Sequence, residues 1–192
     1  LWSVLRSSED EVLKGSLLIT LYENLRWKTI SPQGFREEML AYLPNESNSL
    51  LFSMALSYLG DCQRIFPSDS RPLEQVLWKI VTTNPVSQHR LQAFRLYRSI
   101  ADSEEAVQRL YTLWQERKAP KDCTLSESDY IGLSYMLAMH LPEKADKIIA
   151  TQLSRIQNPD RKKEYQFISP SVSPRKAERD SVFASLLIAG NR

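Results

Sequence analysis

Hydrophobic residues recur along most of this chain at steps of three and four, which is the spacing of one face of an α-helix. The pattern is clearest over residues 46–66, where eight apolar side chains follow it: Leu51, Met54, Ala55, Tyr58, Leu59, Cys62, Ile65 and Phe66. We therefore predict a long, central helix here. No segment shows a convincing alternation of apolar and polar residues, the pattern typical of a half-buried β-strand.

Capping residues and prolines divide the pattern into about ten helices. The predicted helix starts lie near residues 9, 32, 46, 72, 87, 103, 126, 142, 159 and 174. Ser8 and Glu11 have the spacing of a capping box, in which each side chain accepts a hydrogen bond from a free backbone N–H at the helix start. Ser126, with Asp129 three residues later, marks the start of another predicted helix. Ser31-Pro32 places a capping serine before a proline that fits the first helical position.

The last predicted helix begins at Ser173-Pro174 and runs to about Ile188. Its apolar residues fall mostly at three- and four-residue spacing and are predicted to pack inward: Ala177, Val182, Phe183, Leu186 and Leu187. Charged residues lie on or beside the opposite face: Arg175, Lys176, Glu178, Arg179 and Asp180. The pattern predicts a packed helix with a charged rim.

Each predicted helix has an apolar face that it cannot bury alone, and antiparallel pairing with its neighbours buries these faces. The predicted fold class is therefore all-α: an irregular superhelix of about ten antiparallel-paired helices, HEAT/armadillo-like. No fixed-period repeat is visible in the sequence, so the superhelix is expected to be irregular. A chain of 192 residues is within the range of one large domain, and we predict a single helical domain over residues 1–192.

Composition fits a globular protein, with 42% hydrophobic and 25% charged residues. No apolar run reaches the length needed to cross a bilayer, so no membrane partner is expected. Cys62 and Cys123 lie on separate predicted elements and form no paired metal spacing, so both are expected to be free thiols.

The sequence shows no motif of a common catalytic site. A zinc peptidase needs two histidines one helical turn apart and a carboxylate beside them. The two histidines, His89 and His140, belong to separate predicted helices, and we expect each at the surface or the edge of the core. The five glycines stand singly, so there is no phosphate-binding loop. We expect no catalytic residue, no metal site and no cofactor within these residues.

The net charge of +2 is unevenly distributed. Residues 155–192 carry eight Lys or Arg against four Asp or Glu, which leaves a net charge of −2 on the rest. A basic surface suits phosphate, an acidic partner or the terminal carboxylate of a peptide, although a solvated helix face explains any single residue equally well. The basic end has no base-reading motif, so a nucleic-acid partner is not expected.

Several segments resemble a known domain. These segments are Asp160 to Ser169, Ser171-Val172-Ser173-Pro174, Arg179-Asp180-Ser181-Val182-Phe183 and Asn191-Arg192, with Ile30-Ser31-Pro32, Phe35 and Leu43-Pro44-Asn45-Glu46 upstream. Together they resemble the C-terminal helical domain of zinc aminopeptidases of the aminopeptidase N type, particularly the bacterial branch. The family pattern continues beyond its Asn-Arg pair, so the resemblance implies that this sequence is a fragment of a longer chain.

The resemblance implies an accessory role. The parent enzyme would remove N-terminal residues from peptides with a zinc site on an upstream catalytic domain of the same chain. The present domain would close over that site and bind part of the peptide substrate. Basic residues would contact the far end of the peptide: Arg179 matches the Arg-Asp-x-x-Phe motif, and Arg161, Arg175 and Lys176 are nearby in sequence. For Arg179, an ion pair or a carbonyl cap is the structural alternative, and the other three also suit a solvated face.

Another class of function stays open. A stand-alone HEAT-like scaffold, whose concave face holds a partner protein, would have the same helical pattern. Upstream sequence with an HExxH motif and a third glutamate ligand would favour the aminopeptidase hypothesis over the scaffold. The resemblance is compatible with a cytoplasmic or a periplasmic location in a bacterium and does not choose between them.

Overall fold

The computed structural model describes residues 1–188 and residue 190. In this part of the chain it contains eleven α-helices and three short 3-10 helices, and no β-strand. The all-α prediction is confirmed. The Asn191-Arg192 pair lies outside the described residues. Packing contacts divide the chain into two compact units.

Unit 1 contains Leu1–Ser103 and Pro120–Cys123. Its helices are α1 (Trp2–Ser7), α2 (Glu11–Arg26), α3 (Pro32–Tyr42), α4 (Ser49–Ile65), α5 (Arg71–Thr83) and α6 (Ser87–Ile100), with a 3-10 helix at Leu43–Asn45. Helix α4 packs against α2, α3 and α6, and α5 packs along α6. The central position predicted for α4 is therefore confirmed within this unit.

Large apolar side chains of five helices form the core of unit 1. They include Leu18 and Leu21 of α2, Phe35 and Met39 of α3, Phe52 and Leu59 of α4, Leu77 of α5, and Phe94 and Tyr97 of α6. Helices α4 and α6 approach closely at Gly60, where an added Cβ would lie 2.9 Å from Leu96 Cδ1. Tyr22 of α2 stacks on Tyr58 of α4 with 4.2 Å between the ring centroids.

Unit 2 contains Glu104–Ala119 and the described residues from Thr124 onward. Its helices are α7 (Glu104–Glu116), α8 (Glu127–His140), α9 (Ala145–Arg155), α10 (Pro159–Ile168) and α11 (Lys176–Ser185), with 3-10 helices at Pro142–Lys144 and Ser169–Val172. Helix α8 packs against α7 and α9, and α10 packs against α9. Buried side chains from these helices form its core, among them Leu110, Trp114, Leu133, Leu137, Ile148 and Tyr165.

Polar contacts join the helices within the core of unit 2. Trp114 Nε1 donates to Gln152 Oε1 at 2.8 Å, which satisfies two buried polar groups at once. The Tyr165 hydroxyl and Ser134 Oγ form a hydrogen bond of 2.9 Å. The Tyr165 ring also stacks on Tyr135, with 5.0 Å between the centroids.

The helix starts agree with the sequence where the cap is local. Ser31 Oγ accepts from Gly34 N at 3.0 Å, as its position before Pro32 predicts. Ser126 and Asp129 form a complete capping box at α8.

The capping box predicted at Ser8 is wrong. There, Asp10 Oδ1 accepts from Val12 N and Leu13 N at 2.9 and 3.0 Å, because its carboxylate stands next to the first turn. The short helix α1 was not predicted.

Helix α11 differs most from its prediction. It begins at Lys176, two residues after Pro174, because Ser173 Oγ accepts from Arg175 N in a local turn. None of its residues is buried; Phe183 is 71% exposed, and Leu187, just after the helix, is 67% exposed. The prediction of a packed helix is therefore wrong. Helix α11 packs mainly on the 3-10 helix Ser169–Val172, which is too short to cover its apolar face.

Candidate functional site

The four basic residues predicted to bind peptide all lie in unit 2. Arg175 is the N-cap residue of α11, Lys176 and Arg179 lie in its first turns, and Arg161 lies near the start of α10. Each has an intramolecular partner. A peptide carboxylate would therefore have to compete with these partners for the cations.

Arg175 forms the most extensive of these contacts. Its Nη1 and Nη2 donate to the two carboxylate oxygens of Asp146 on α9, both at 2.8 Å. Its Nε donates to Glu178 Oε1 at 2.6 Å. Hydrogen bonding to Arg175 lowers the pKa of Asp146 and of Glu178, so both acids are charged at neutral pH. Two carboxylates thus surround one guanidinium, and this cluster carries a net negative charge.

Arg179 has the carbonyl-capping role that was the structural alternative for it. Its Nη1 donates to the carbonyl oxygens of Ser173 at 2.7 Å and Pro174 at 3.0 Å. These bonds hold the turn before α11 against the helix. The peptide-binding role predicted for Arg179 stays a prediction.

The other two cations also have acidic neighbours. Arg161 Nη1 lies 3.3 Å from Glu127 Oε1, the first residue of α8. The Gln157 N–H donates to Glu127 Oε2 at 2.8 Å, and this bond, with the contact to Arg161, lowers the pKa of Glu127. Lys176 Nζ lies 3.8 Å from Asp180 Oδ2, one helical turn away. The Lys176 side chain is 82% exposed, so a pair of this kind contributes little stability.

A second polar cluster, in unit 1, surrounds the start of α4. Glu46 Oε2 accepts from Lys14 Nζ at 2.6 Å and from the Tyr42 hydroxyl, and Glu46 Oε1 accepts from Asn48 N at 2.7 Å. Burial raises the pKa of Glu46, but these bonds outweigh it and the pKa lies below its ordinary value. The carboxylate is therefore a fixed structural anion rather than a proton donor near neutral pH.

His89 lies close to this cluster and is fully buried. The expectation that it lies at the surface or the edge of the core is wrong. Its ring stacks on Phe52 at 4.0 Å between centroids, and its Nε2 is 3.0 Å from Ser49 Oγ. Its Nδ1 has no hydrogen-bond partner. A serine–histidine pair without an acid on the other ring nitrogen lacks the group that orients a catalytic imidazole. Burial lowers the pKa of His89, so the ring is neutral at neutral pH.

Glu74 of α5 is a buried acid of unit 1 that accepts several hydrogen bonds. Its carboxylate accepts from Ser70 Oγ at 2.8 Å, from Asp102 N at 2.8 Å, from Ser103 N at 3.0 Å, and from the Ser103 hydroxyl. Burial opposes ionisation, yet these donors lower the pKa of Glu74. The Glu74 carboxylate thus holds the backbone at Asp102 and Ser103, where the first segment of unit 1 ends, against α5.

A groove of about 610 Å³ lies between α4 and α6. Small residues on α4, Ser53, Ser57 and Gly60, keep it open, and Leu56, Leu96 and Ile100 supply apolar surface. Its volume is within the range of small-ligand sites, and its lining mixes apolar and charged side chains. The sequence alone did not predict this groove, because it depends on which faces of α4 and α6 meet.

In the described part of the chain, no group of three or more His, Cys, Asp or Glu side chains is arranged to hold a metal ion. Cys62 and Cys123 are free thiols, as predicted. Among the described residues, no helix is both long and apolar enough to span a bilayer. Comparison with protein-family models, with curated proteins and with solved structures found no match.

Proposed function

We propose that this chain is the C-terminal accessory domain of a zinc aminopeptidase. It would close over the active site of a catalytic domain upstream in the same protein and shape the access of peptides to that site. The resemblance of residues 160–174 and 179–183 to the family carries the proposal. Zinc and the catalytic residues would belong to the upstream domain, and the chain itself would have no catalytic activity.

Two structural features support the proposal. The resembling segments fall on α10, the 3-10 helix after it, and α11, in an all-α chain. Phe183 of α11 and Leu187 just after the helix are exposed, and neighbouring exposed apolar side chains are typical of a surface that another protein segment covers.

The ion pairs of the four predicted cations refine the expectation for peptide binding. Because Arg175 is paired with Asp146 and Glu178, a peptide carboxylate would gain little there. Arg161 and Lys176, with single and longer ion pairs, are the more available of the four predicted cations. Arg161→Gln and Lys176→Gln in the longer protein should raise KM for peptides more than KM for a short aminoacyl reporter.

The decisive experiment uses the longer protein. Its coding sequence upstream of Leu1 should contain HExxH followed by a glutamate ligand, and the expressed protein should hydrolyse an aminoacyl p-nitroanilide only with zinc bound. Removing residues 1–192 should alter the dependence of the rate on peptide length. An upstream region without the zinc motif, or stoichiometric zinc binding by this chain alone, would contradict the proposal.

The groove between α4 and α6 favours a second candidate, a protein-interaction scaffold. In that case the partner would bind to unit 1 and no zinc motif would be found upstream. Ser57→Trp fills the groove from the exposed side, whereas Ser154→Trp on α9 is a matched control in unit 2. Loss of a partner with the first variant but not the second would support the scaffold over the aminopeptidase domain.

A further inference from the structure

We propose that the guanidinium groups of Arg117 and Arg155 form a binding site for a phosphate group. The site lies in unit 2, where α7 ends beside α8 and α9. It is separate from the cations near α11, and it does not depend on the aminopeptidase assignment.

Aromatic rings position both guanidinium groups. The Arg117 guanidinium lies 5.1 Å from the centroid of the Tyr130 ring, and that of Arg155 lies 4.9 Å from the Trp114 ring. The Tyr130 hydroxyl donates to the Arg117 carbonyl oxygen at 3.1 Å. Stacking on a ring face leaves the edge of a guanidinium, with its N–H groups, open to an anion.

The two cations lie in the same part of unit 2, Arg117 on the ring of Tyr130 and Arg155 on the ring of Trp114 at the end of α7. Burial lowers the pKa of Arg155, and the positive charge of Arg117 lowers it further. In the described part of the chain, neither guanidinium forms an ion pair. Asp129 lies near Tyr130, where its Oδ2 accepts from Ser126 N at 3.0 Å and Ser126 Oγ at 2.7 Å, and its one negative charge stands against the two positive charges of the arginines. The site therefore has an excess of positive charge.

Helix capping explains only one of the two arginines. Arg155 Nη1 and Nη2 donate to the carbonyl oxygens of Trp114 at 3.0 Å and Gln115 at 3.2 Å, which satisfies the C-terminal end of α7. Its Nε–H and the remaining η hydrogens are not used in these bonds. Among the described residues, the Arg117 side chain donates to no carbonyl oxygen; its guanidinium packs on the Tyr130 ring, and its charge repels that of Arg155.

The backbone at Arg117 is also unfavourable for a side chain. Arg117 has φ 54°, the left-handed region in which helices commonly end with glycine. Lys118 N donates to Leu113 O across this turn at 3.2 Å. A residue that violates a local rule and adds like charge is a candidate for a binding role. The open edge of the Arg117 guanidinium, together with the Nε–H and the unused η hydrogens of Arg155, matches the oxygen pattern and the charge of phosphate.

Inorganic phosphate titrated into the ¹⁵N-labelled 192-residue chain tests the proposal. Ionic strength is held constant with chloride, and the arginine Nε–H resonances are followed. We expect saturable shifts for Arg117 and Arg155, and at least roughly tenfold weaker binding in Arg117→Gln, since a charge-assisted bidentate contact is lost. Arg117→Lys should weaken binding less, because it keeps the charge but loses the fork.

Lys28 offers a matched control. It also has a positive φ, 58°, at the end of a helix, and it is exposed in unit 1. Lys28→Gln should bind phosphate as the unsubstituted chain does. Shifts that do not saturate, an equal response to added chloride, or unchanged binding in Arg117→Gln and Arg155→Lys would each overturn the proposal. Acetate at the same concentration should bind more weakly than phosphate, and equal binding would overturn the assignment to phosphate.

Discussion

Unit 1 holds the carboxylates Glu46 and Glu74 below its surface, at 4% and 5% exposure, whereas unit 2 keeps Arg161 and Arg175 half-exposed beside surface acids. The buried acids accept hydrogen bonds from hydroxyl groups and backbone N–H groups in contacts that are buried or partly buried. The surface arginines form ion pairs in which water also solvates the charged groups. We therefore expect the two buried carboxylates of unit 1 to contribute much more to the free energy of unfolding than the two surface arginines of unit 2.

The strongest test of this contrast is Glu74→Ala. Removing the carboxylate leaves the N–H groups of Asp102 and Ser103 and two hydroxyls without their acceptor. We expect the free energy of unfolding to fall by about 2–4 kcal/mol in urea denaturation. Glu74→Gln, which retains one acceptor oxygen, should lose less. A loss as small as that of Glu178→Ala at the surface would remove the contrast.

Buried His89 should make the stability of unit 1 depend on pH. Burial lowers its pKa in the folded state, so above the ordinary histidine pKa of about 6.5 both states are neutral and stability is complete. As the pH falls below that value, the unfolded chain binds a proton that the folded chain resists, and stability decreases until the lower folded pKa is passed.

We expect this loss to be smaller than that of Glu74→Ala, because the negative charge of Glu46 partly offsets the cost of protonating His89. The free energy of unfolding, measured from pH 8 to pH 5, should lose this component in His89→Gln and keep it in His140→Gln. An unchanged pH profile in His89→Gln would contradict the assignment.

The third test compares the two units at equivalent backbone positions. Arg117 in unit 2 and Lys28 in unit 1 both have positive φ at the end of a helix. Replacement by glycine should stabilise the chain by about 1 kcal/mol at each site, because the side chain no longer opposes the left-handed conformation. Thermal unfolding of the two variants measures this. Arg117→Gly should gain more than Lys28→Gly, since it also removes the repulsion with Arg155.

The smallest effect is expected for Arg175→Gln. Its hydrogen bonds to Asp146 and Glu178 are well formed, but all three side chains are substantially exposed. The change in urea midpoint should be close to the error of the measurement and should disappear in high salt. A loss comparable to that of Glu74→Ala would show that unit 2 depends on its surface charges after all.

The sequence predicted the helices well because most start signals act locally. The serine caps of α3 and α8 lie within three residues of the N–H groups that they accept from, so spacing alone identifies them. At α2 the nearby Asp10 competes with Ser8 for the same N–H groups, and spacing does not rank the two. Helix α1 has only six residues, too few for a periodic pattern to emerge.

The candidate sites were less predictable because their contacts are distant in sequence. Arg175 pairs with Asp146, 29 residues earlier, and Arg161 pairs with Glu127, 34 residues earlier. Neither acid is marked by a motif. His89 is buried because Phe52 and Ser49 of α4 face it across the helix pair, which its own neighbours in sequence do not reveal. A helical wheel shows which residues share a face but not what the face meets.

Each unit contains a stacked tyrosine pair that bridges two helices, Tyr22 with Tyr58 and Tyr135 with Tyr165. Fixed stacked phenols give circular dichroism in the near ultraviolet only while tertiary packing holds. Burial also raises the pKa of Tyr135 to about 12 and that of Tyr165 still higher, so these phenols stay protonated in mild alkali. The absorbance of newly formed phenolate on alkaline titration would thus mark the moment at which unit 2 opens, without any added label.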